Sequence, residues 1–286
     1  MTVLSIRYRY SGQYKPHYLK HADVEEVALE ARAQLVSAEV DAVPFATLRE
    51  VSALDINGLK FDLWVSVDHP VTDEQGETVL GLCEFDPGSG ADAASLLVSP
   101  VGERMTIELA LSTFTHELGH AVFDAPGWIS ASRTGPDLFD GLDQGTRKAY
   151  RTTTINSEHL TAVAATADAD KPGVSFARHA ELERANEQRI AEYRANEFMG
   201  SLLVPRHRLL RAAEALAPEY GVQVVRAPSL SPEIANGAPT LVPAGASGSA
   251  QMQNLQRELA ARFGVNRSFI EVRMKCYGLL PNIRSR

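Results

Sequence analysis

His116-Glu117-Leu118-Gly119-His120 is the segment of this chain whose residue types and spacing point most directly to chemistry. Two histidines four positions apart lie one above the other on a helix, so both imidazoles can reach one metal ion, with the intervening glutamate beside it. Two imidazoles do not complete a catalytic zinc site, which takes three protein ligands and keeps a further position for water. The helical pattern at 189–198 offers Glu192 and Glu197 as the third ligand. Ala191, Ala195, Phe198, Met199, Leu202 and Leu203 form an apolar stripe there, with Glu192 at its edge and Glu197 expected on the far side, towards solvent. A carboxylate at the edge of a buried stripe is costly unless it is paired or holds a metal, which favours Glu192. Asn196, four residues on, is expected to hold a ligand imidazole in orientation. His159 and His179 are weaker ligand candidates, because nothing around either has ligand spacing.

The chemistry expected is one Zn²⁺ per chain on His116, His120 and Glu192, with Glu117 as the base that takes a proton from water and returns it to a leaving amine. A donor to the developing oxyanion is also needed, and Tyr150 and Tyr193 are the candidates.

Several elements must position these groups. Residues 103–123 predict a helix with Ile107, Ala110, Leu111, Phe114, Leu118, Ala121 and Val122 on one stripe and the two histidines nearly opposite, as the floor of a cleft would have. Apolar spacing predicts helices over 22–40 and 178–203, and two short ones in 251–280. Residues 59–67, 78–85 and 94–98 predict strands, the last of them an edge on which an extended substrate could pair. Residues 124–175 read as a long insertion with at most short local structure, and 227–250 has the Ala, Pro, Gly and Ser composition of a linker.

HELGH followed by Glu192-Tyr-Arg-Ala-Asn-Glu-Phe-Met-Gly-Ser-Leu-Leu-Val-Pro205 resembles the ImmA/IrrE metallopeptidases. The Thr113-Phe114-Thr115 upstream, Leu259-Ala-Ala-Arg-Phe263-Gly-Val-Asn and Tyr277-Gly-Leu-Leu280 fit the same family, over roughly 55–125 and 185–280. The resemblance implies a gluzincin-like zinc endopeptidase that cleaves a helix-turn-helix repressor and so derepresses stress-response or mobile-element genes. The stretch between His120 and Glu192 is longer than that family has. The expected fold class is α+β, a zincin-like core with a small antiparallel or mixed sheet and a helix-turn-helix-like helical module at the C-terminus. The expected divisions are 1–54 (N-terminal, helical), 55–215 (catalytic, with the insertion at 124–175), 216–250 (linker) and 251–286 (helical module).

Composition bounds these expectations. The 286 residues are 44% hydrophobic and 22% charged, enough to build a sizeable core. No run of about 18 apolar residues occurs, and the opening MTVLSIRYRYSGQY carries basic and tyrosine residues where a secretion signal needs an apolar stretch, so a cytoplasmic protein with no membrane partner is expected. Cys83 and Cys276 stand far apart and read as small apolar residues in a reduced compartment. A net charge of −8 disfavours non-specific nucleic-acid binding, although 251–286 is locally basic and could contact DNA. Packing of this module against the rest of the chain, or docking of an acidic partner, is the favoured alternative to DNA contact. Two functions other than proteolysis remain: a metal-stabilised regulator that sequesters its partner uncut, and a DNA-binding regulator acting through 251–286.

Overall fold

The computed structural model describes residues 2–134, 146–151, 176–226, 239–245 and 248–281, in two compact units. The first, Met1–Val36 with Phe45–Leu202, is an α+β unit built on a mixed sheet. In chain order its strands are β1 (Thr2–Ile6), β2 (Val51–Ile56), β3 (Leu59–Ser66), the short β4 (Val71–Thr72) and β5 (Thr78–Val79), then β6 (Gly81–Phe85), β7 (Ala93–Val98) and β8 (Arg147–Arg151). Six of them form one sheet in the order β1-β2-β3-β7-β6-β8, while β4 and β5 pair as a separate ribbon. Leu59, Phe61 and Leu63 alternate with outward Lys60, Asp62 and Trp64 along β3, which is the two-residue period of a strand with one buried face. Leu4, Leu54 and Phe61 stand in register across three strands and are all buried. Helices α1 (His21–Leu35) and α3 (Ile107–Phe123) pack on β1 and on β6, β7 and β8 respectively, and α2 (Phe45–Arg49) packs on α3 and β2.

Strands form at all three expected places, although 78–85 divides into β5 of the separate ribbon and β6, and three further strands join the main sheet. β1 and β2 pair in parallel at the far edge. Arg-Lys-Ala-Tyr-Arg of β8 has no apolar alternation, so its sequence is silent, and backbone hydrogen bonding to β6 makes it a strand. The expected substrate edge at 94–98 is corrected: β7 is flanked by β3 on one side and β6 on the other, which leaves it no free edge. On that side of the sheet the outermost described strand is β8. The stretch 124–175 holds α4 (Ala125–Thr134) as well as β8. The long α5 (Phe176–Leu203) closes the unit. Among the described residues, no helix is long and apolar enough to cross a membrane.

The second unit, Ser37–Pro44 with Leu203–Arg286, holds α6 (Arg206–Leu216), β9 (Val222–Arg226), β10 (Pro239–Pro243), α7 (Gly248–Phe263) and α8 (Arg267–Cys276). The expected 216–250 linker therefore contains an antiparallel pair, β9 with β10. Two of the prolines that suggested a linker, Pro239 and Pro243, stand at the two ends of β10, where a missing N–H is tolerated, and Leu241 between them is buried with its N–H on the Leu279 carbonyl. Asp41 ties the unit together, accepting from Arg208 of α6 at 2.7 Å and from Arg262 of α7 at 2.6 Å.

The two C-terminal helices form as expected, with Asn266 capping α8 through the Phe269 N–H. Their cations are largely committed within the unit. Arg273 is buried, donates to the Tyr277 hydroxyl at 2.6 Å, and that hydroxyl donates to the Val204 carbonyl. Arg262 is on Asp41, and Arg267 and Lys275 both pair with Glu271.

Candidate metal centre

α3 is the helix the sequence predicts, started by Thr106, whose hydroxyl accepts from the Leu109 N–H. From Ala110 to Phe123 every residue is buried, on the histidine face as well as on the apolar stripe, whereas Ile107 of that stripe is exposed. The sheet covers one side of this helix and α5 approaches on another. Both approaches depend on glycine. A Cβ at Gly119 would lie 2.8 Å from the Ala195 Cα, so α3 and α5 touch backbone to backbone there. A Cβ at Gly81 of β6 would meet the Thr113 methyl at 2.6 Å and Glu117 at 3.0 Å, so Glu117 lies directly over the start of that strand.

This crossing brings Glu192 to the histidines. Its Oε2 is 3.4 Å from His116 Nε2 and its Oε1 is 3.4 Å from His120 Nε2, while the two Nε2 atoms are 3.2 Å apart. Tetrahedral zinc with bonds of about 2.0–2.1 Å requires ligand–ligand separations of about 3.3–3.4 Å. The two imidazole nitrogens stand close to that edge length and each is faced by a different oxygen of Glu192, so the donors are gathered in one cluster, and their types, two imidazole nitrogens and one carboxylate, suit zinc. Among the described residues this is the one group of three or more such side chains able to hold a metal. Glu117, His116 and His120 are buried, and Glu192, with 34% of its side chain exposed, is where the triad reaches the surface.

The charges around His120 are arranged in a line. Its Nδ1 donates to Asp124 Oδ2 at 2.7 Å, and the other oxygen of Asp124 accepts from Arg194 at 2.7 Å. Burial opposes charging this imidazole, yet the hydrogen bonds to Asp124 and Glu192 outweigh burial and push it up to about 10. Burial likewise opposes ionisation of Glu192, and its hydrogen bonds with His116 and His120 override that, holding the carboxyl well below the usual carboxylate range. Asp124 is lowered as well: burial is outweighed by His120 and then by Arg194. Two carboxylates stay ionised around a cluster that favours positive charge, whether carried by a proton or by a metal ion.

Two expectations change here. Asp124, not Asn196, holds the His120 imidazole. The signal was present in the sequence, since Asp124 follows His120 by one helical turn. Glu197 does not face solvent: it is buried, accepts from the Ser201 hydroxyl at 2.6 Å and lies 3.1 Å from His21 Nε2 of α1. The last turns of α5 are enclosed all round, so a stripe-and-back-face argument has no solvent side to assign there. Tyr193 follows Glu192 and is half-buried, and Tyr150 stands on β8 opposite Leu82, its side chain outside the described residues. His159 also lies outside them. His179 is in α5, about 20 Å along the helix axis from Glu192 at the usual helical rise, too far to share its metal. Cys83 is fully buried beneath this site, and burial, followed by the Glu117 charge, drives its thiol up into an inert form. Cys276 is exposed, and neither cysteine is in a disulfide.

Comparison with protein-family models, with characterised proteins and with solved structures finds no significant match to this chain.

Proposed function

We propose that this protein is a zinc-dependent endopeptidase with a zincin-like core, acting in the cytoplasm on a regulatory protein, and that its substrate is a helix-turn-helix repressor of the kind the ImmA/IrrE resemblance implies. The observation that carries the reading is the gathering of His116, His120 and Glu192 into one cluster, the two Nε2 atoms 3.2 Å apart and each 3.4 Å from its own oxygen of Glu192, with Glu117 on the helix that bears the histidines. A zinc ion bound there supplies a Lewis acid for a carbonyl oxygen and lowers the pKa of a water to about 7.

The residues divide the remaining work. Asp124 fixes the proton of His120 on Nδ1, so that Nε2 presents its lone pair to the metal. Arg194 holds Asp124 in place and balances its charge. Glu117, whose side chain lies against Gly81 of β6, has little freedom to turn away and serves as base, then as acid to the leaving amine. Extended substrate is expected to pair with the outer edge of β8 rather than with β7, because β8 runs beside α3.

The sequestering regulator is the second reading, since a buried metal site serves a scaffold equally well. A DNA-binding role for 251–286 is less supported, because Arg273 is buried and Arg262, Arg267 and Lys275 are paired. The test is to load the full chain with zinc, incubate it with a peptide library and count new termini by mass spectrometry. Wild type should generate them and Glu117→Gln should not, with zinc content equal in the two. Equal termini from both, or none from a fully loaded wild type, would overturn the endopeptidase reading.

A further inference from the structure

Residues 7–20 carry Arg7, Arg9, Lys15 and Lys20 with no carboxylate among them, in a chain whose net charge is −8. They are ordered. The Ser11 N–H donates to the Lys15 carbonyl at 2.8 Å and the His17 N–H to the Arg9 carbonyl at 3.1 Å, closing a small hairpin. Tyr14 at its tip has φ of 57°, in the left-handed region that a bulky residue rarely enters. That turn lays the Tyr14 ring on Tyr10, with centroids 5.0 Å apart and planes 17° from parallel.

The hairpin is seated beside the metal centre. Tyr8 at its base donates to the Val122 carbonyl at 2.8 Å and packs on Phe123, and Gly127 of α4 approaches the stem of Lys15, whose Cγ would be 3.5 Å from a Cβ there. The stretch thus crosses the junction of α3 and α4, where Asp124 sits. All four cations are exposed, and none forms an ion pair among the described residues. By contrast, Arg208, Arg262, Arg267 and Lys275 of the second unit each have a carboxylate partner.

We propose that this hairpin is a docking surface for an acidic stretch of a polypeptide partner. Charge complementarity selects the sign of the partner, and the size of the patch selects its kind. A nucleic acid carries charge along its whole length and would run from this short hairpin onto the acidic remainder of the chain, whereas a few clustered Asp or Glu residues match it. That the docked stretch belongs to the cleaved substrate rests on the endopeptidase reading; the docking itself does not.

The experiment is fluorescence anisotropy on the full chain in a Glu117→Gln background, with a labelled Glu/Ser decapeptide, its Lys/Ser counterpart and a single-stranded oligonucleotide of equal charge as probes. The Glu/Ser peptide should bind at low salt and weaken as salt rises. Arg9→Glu with Lys15→Glu should weaken it by about tenfold or more, and the equally charged Arg257→Glu with Lys275→Glu should leave it nearly unchanged. Arg9→Gln with Lys15→Gln, a milder pair, should lose part of the binding with an unchanged circular dichroism spectrum. No binding by the parent chain, equal losses in the two charge-reversed pairs, no loss in the glutamine pair, or tighter binding of the oligonucleotide would each overturn the docking proposal. Binding that persists in a chain shown to cut nothing would overturn only the substrate assignment.

Discussion

Gly119 and Ala195 meet backbone to backbone: a Cβ on the glycine would lie 2.8 Å from the Ala195 Cα and 3.2 Å from its carbonyl oxygen. This contact sets the spacing of α3 and α5, and through it the distance of Glu192 from both histidines. The atoms in the way are main chain, so no side chain can swing aside to admit a methyl group. Gly119→Ala should therefore push the helices apart, costing about 1–3 kcal/mol by overpacking and weakening zinc binding as well. Thermal unfolding and zinc titration of the same preparation check this, and an alanine variant with wild-type zinc affinity would show that the crossing does not set the site.

Asp124 is the residue that orients His120. Asp124→Asn keeps the size but weakens the acceptor, and zinc affinity should fall by about 10–100-fold in competition with a chromogenic chelator. Arg194→Ala leaves the carboxylate without its guanidinium and should have a smaller effect in the same direction. The cobalt-substituted spectra of both variants should shift, because the ligand imidazole is held differently.

Glu192 and Glu197 lie on one helix in different surroundings, the first facing His116 and His120 and the second Ser201 and His21. Glu192→Ala should abolish stoichiometric zinc with little change in the thermal midpoint of the metal-free chain. Glu197→Ala removes a buried acceptor of Ser201 and the neighbour of His21, and should cost about 1–3 kcal/mol while zinc content is retained. Elemental analysis beside a melting curve separates the two, and zinc loss in Glu197→Ala without loss of stability would reverse the assignment.

Asp41 gives the second unit a pH dependence of known sign. Burial works against its ionisation, but the hydrogen bonds from Arg262 and then Arg208 prevail and lower its pKa. Its contribution is present above the ordinary aspartate pKa of about 3.9 and is lost as pH falls through the lower folded value. Wild type should exceed Asp41→Asn in stability at neutral pH, and the gap should close in acid. Denaturant titrations from neutral pH down to about pH 3 measure it, and a gap that stays constant would show that the carboxylate charge is not what binds the two arginines.

Much of the site was legible because a helix converts sequence spacing directly into direction. The i, i+4 histidines, Glu117 between them and Glu192 at the edge of an apolar stripe need only the helical period to be placed, and the α+β class follows from alternation in β3 and apolar spacing in α1, α3 and α5. Asp124 was readable by the same rule, one turn after His120. Other features depend on which surfaces meet, and no local period encodes that. β8 is a strand only because β6 offers it hydrogen bonds; β7 is interior because β3 and β6 flank it; Glu197 is buried because α1 covers a face that the apolar stripe alone would leave to solvent. Likewise, the cations of the C-terminal helices were visible as a basic composition, and Glu271 stands one helical turn from both Arg267 and Lys275, but Asp41, the partner of Arg262, comes from a distant segment. Residue types and short-range periodicity, then, determine which groups can bind a metal and on which elements they ride. Tertiary structure decides which carboxylates and cations are already paired, which edge is open, and how closely two backbones approach, since those are properties of contacts between segments far apart in the chain.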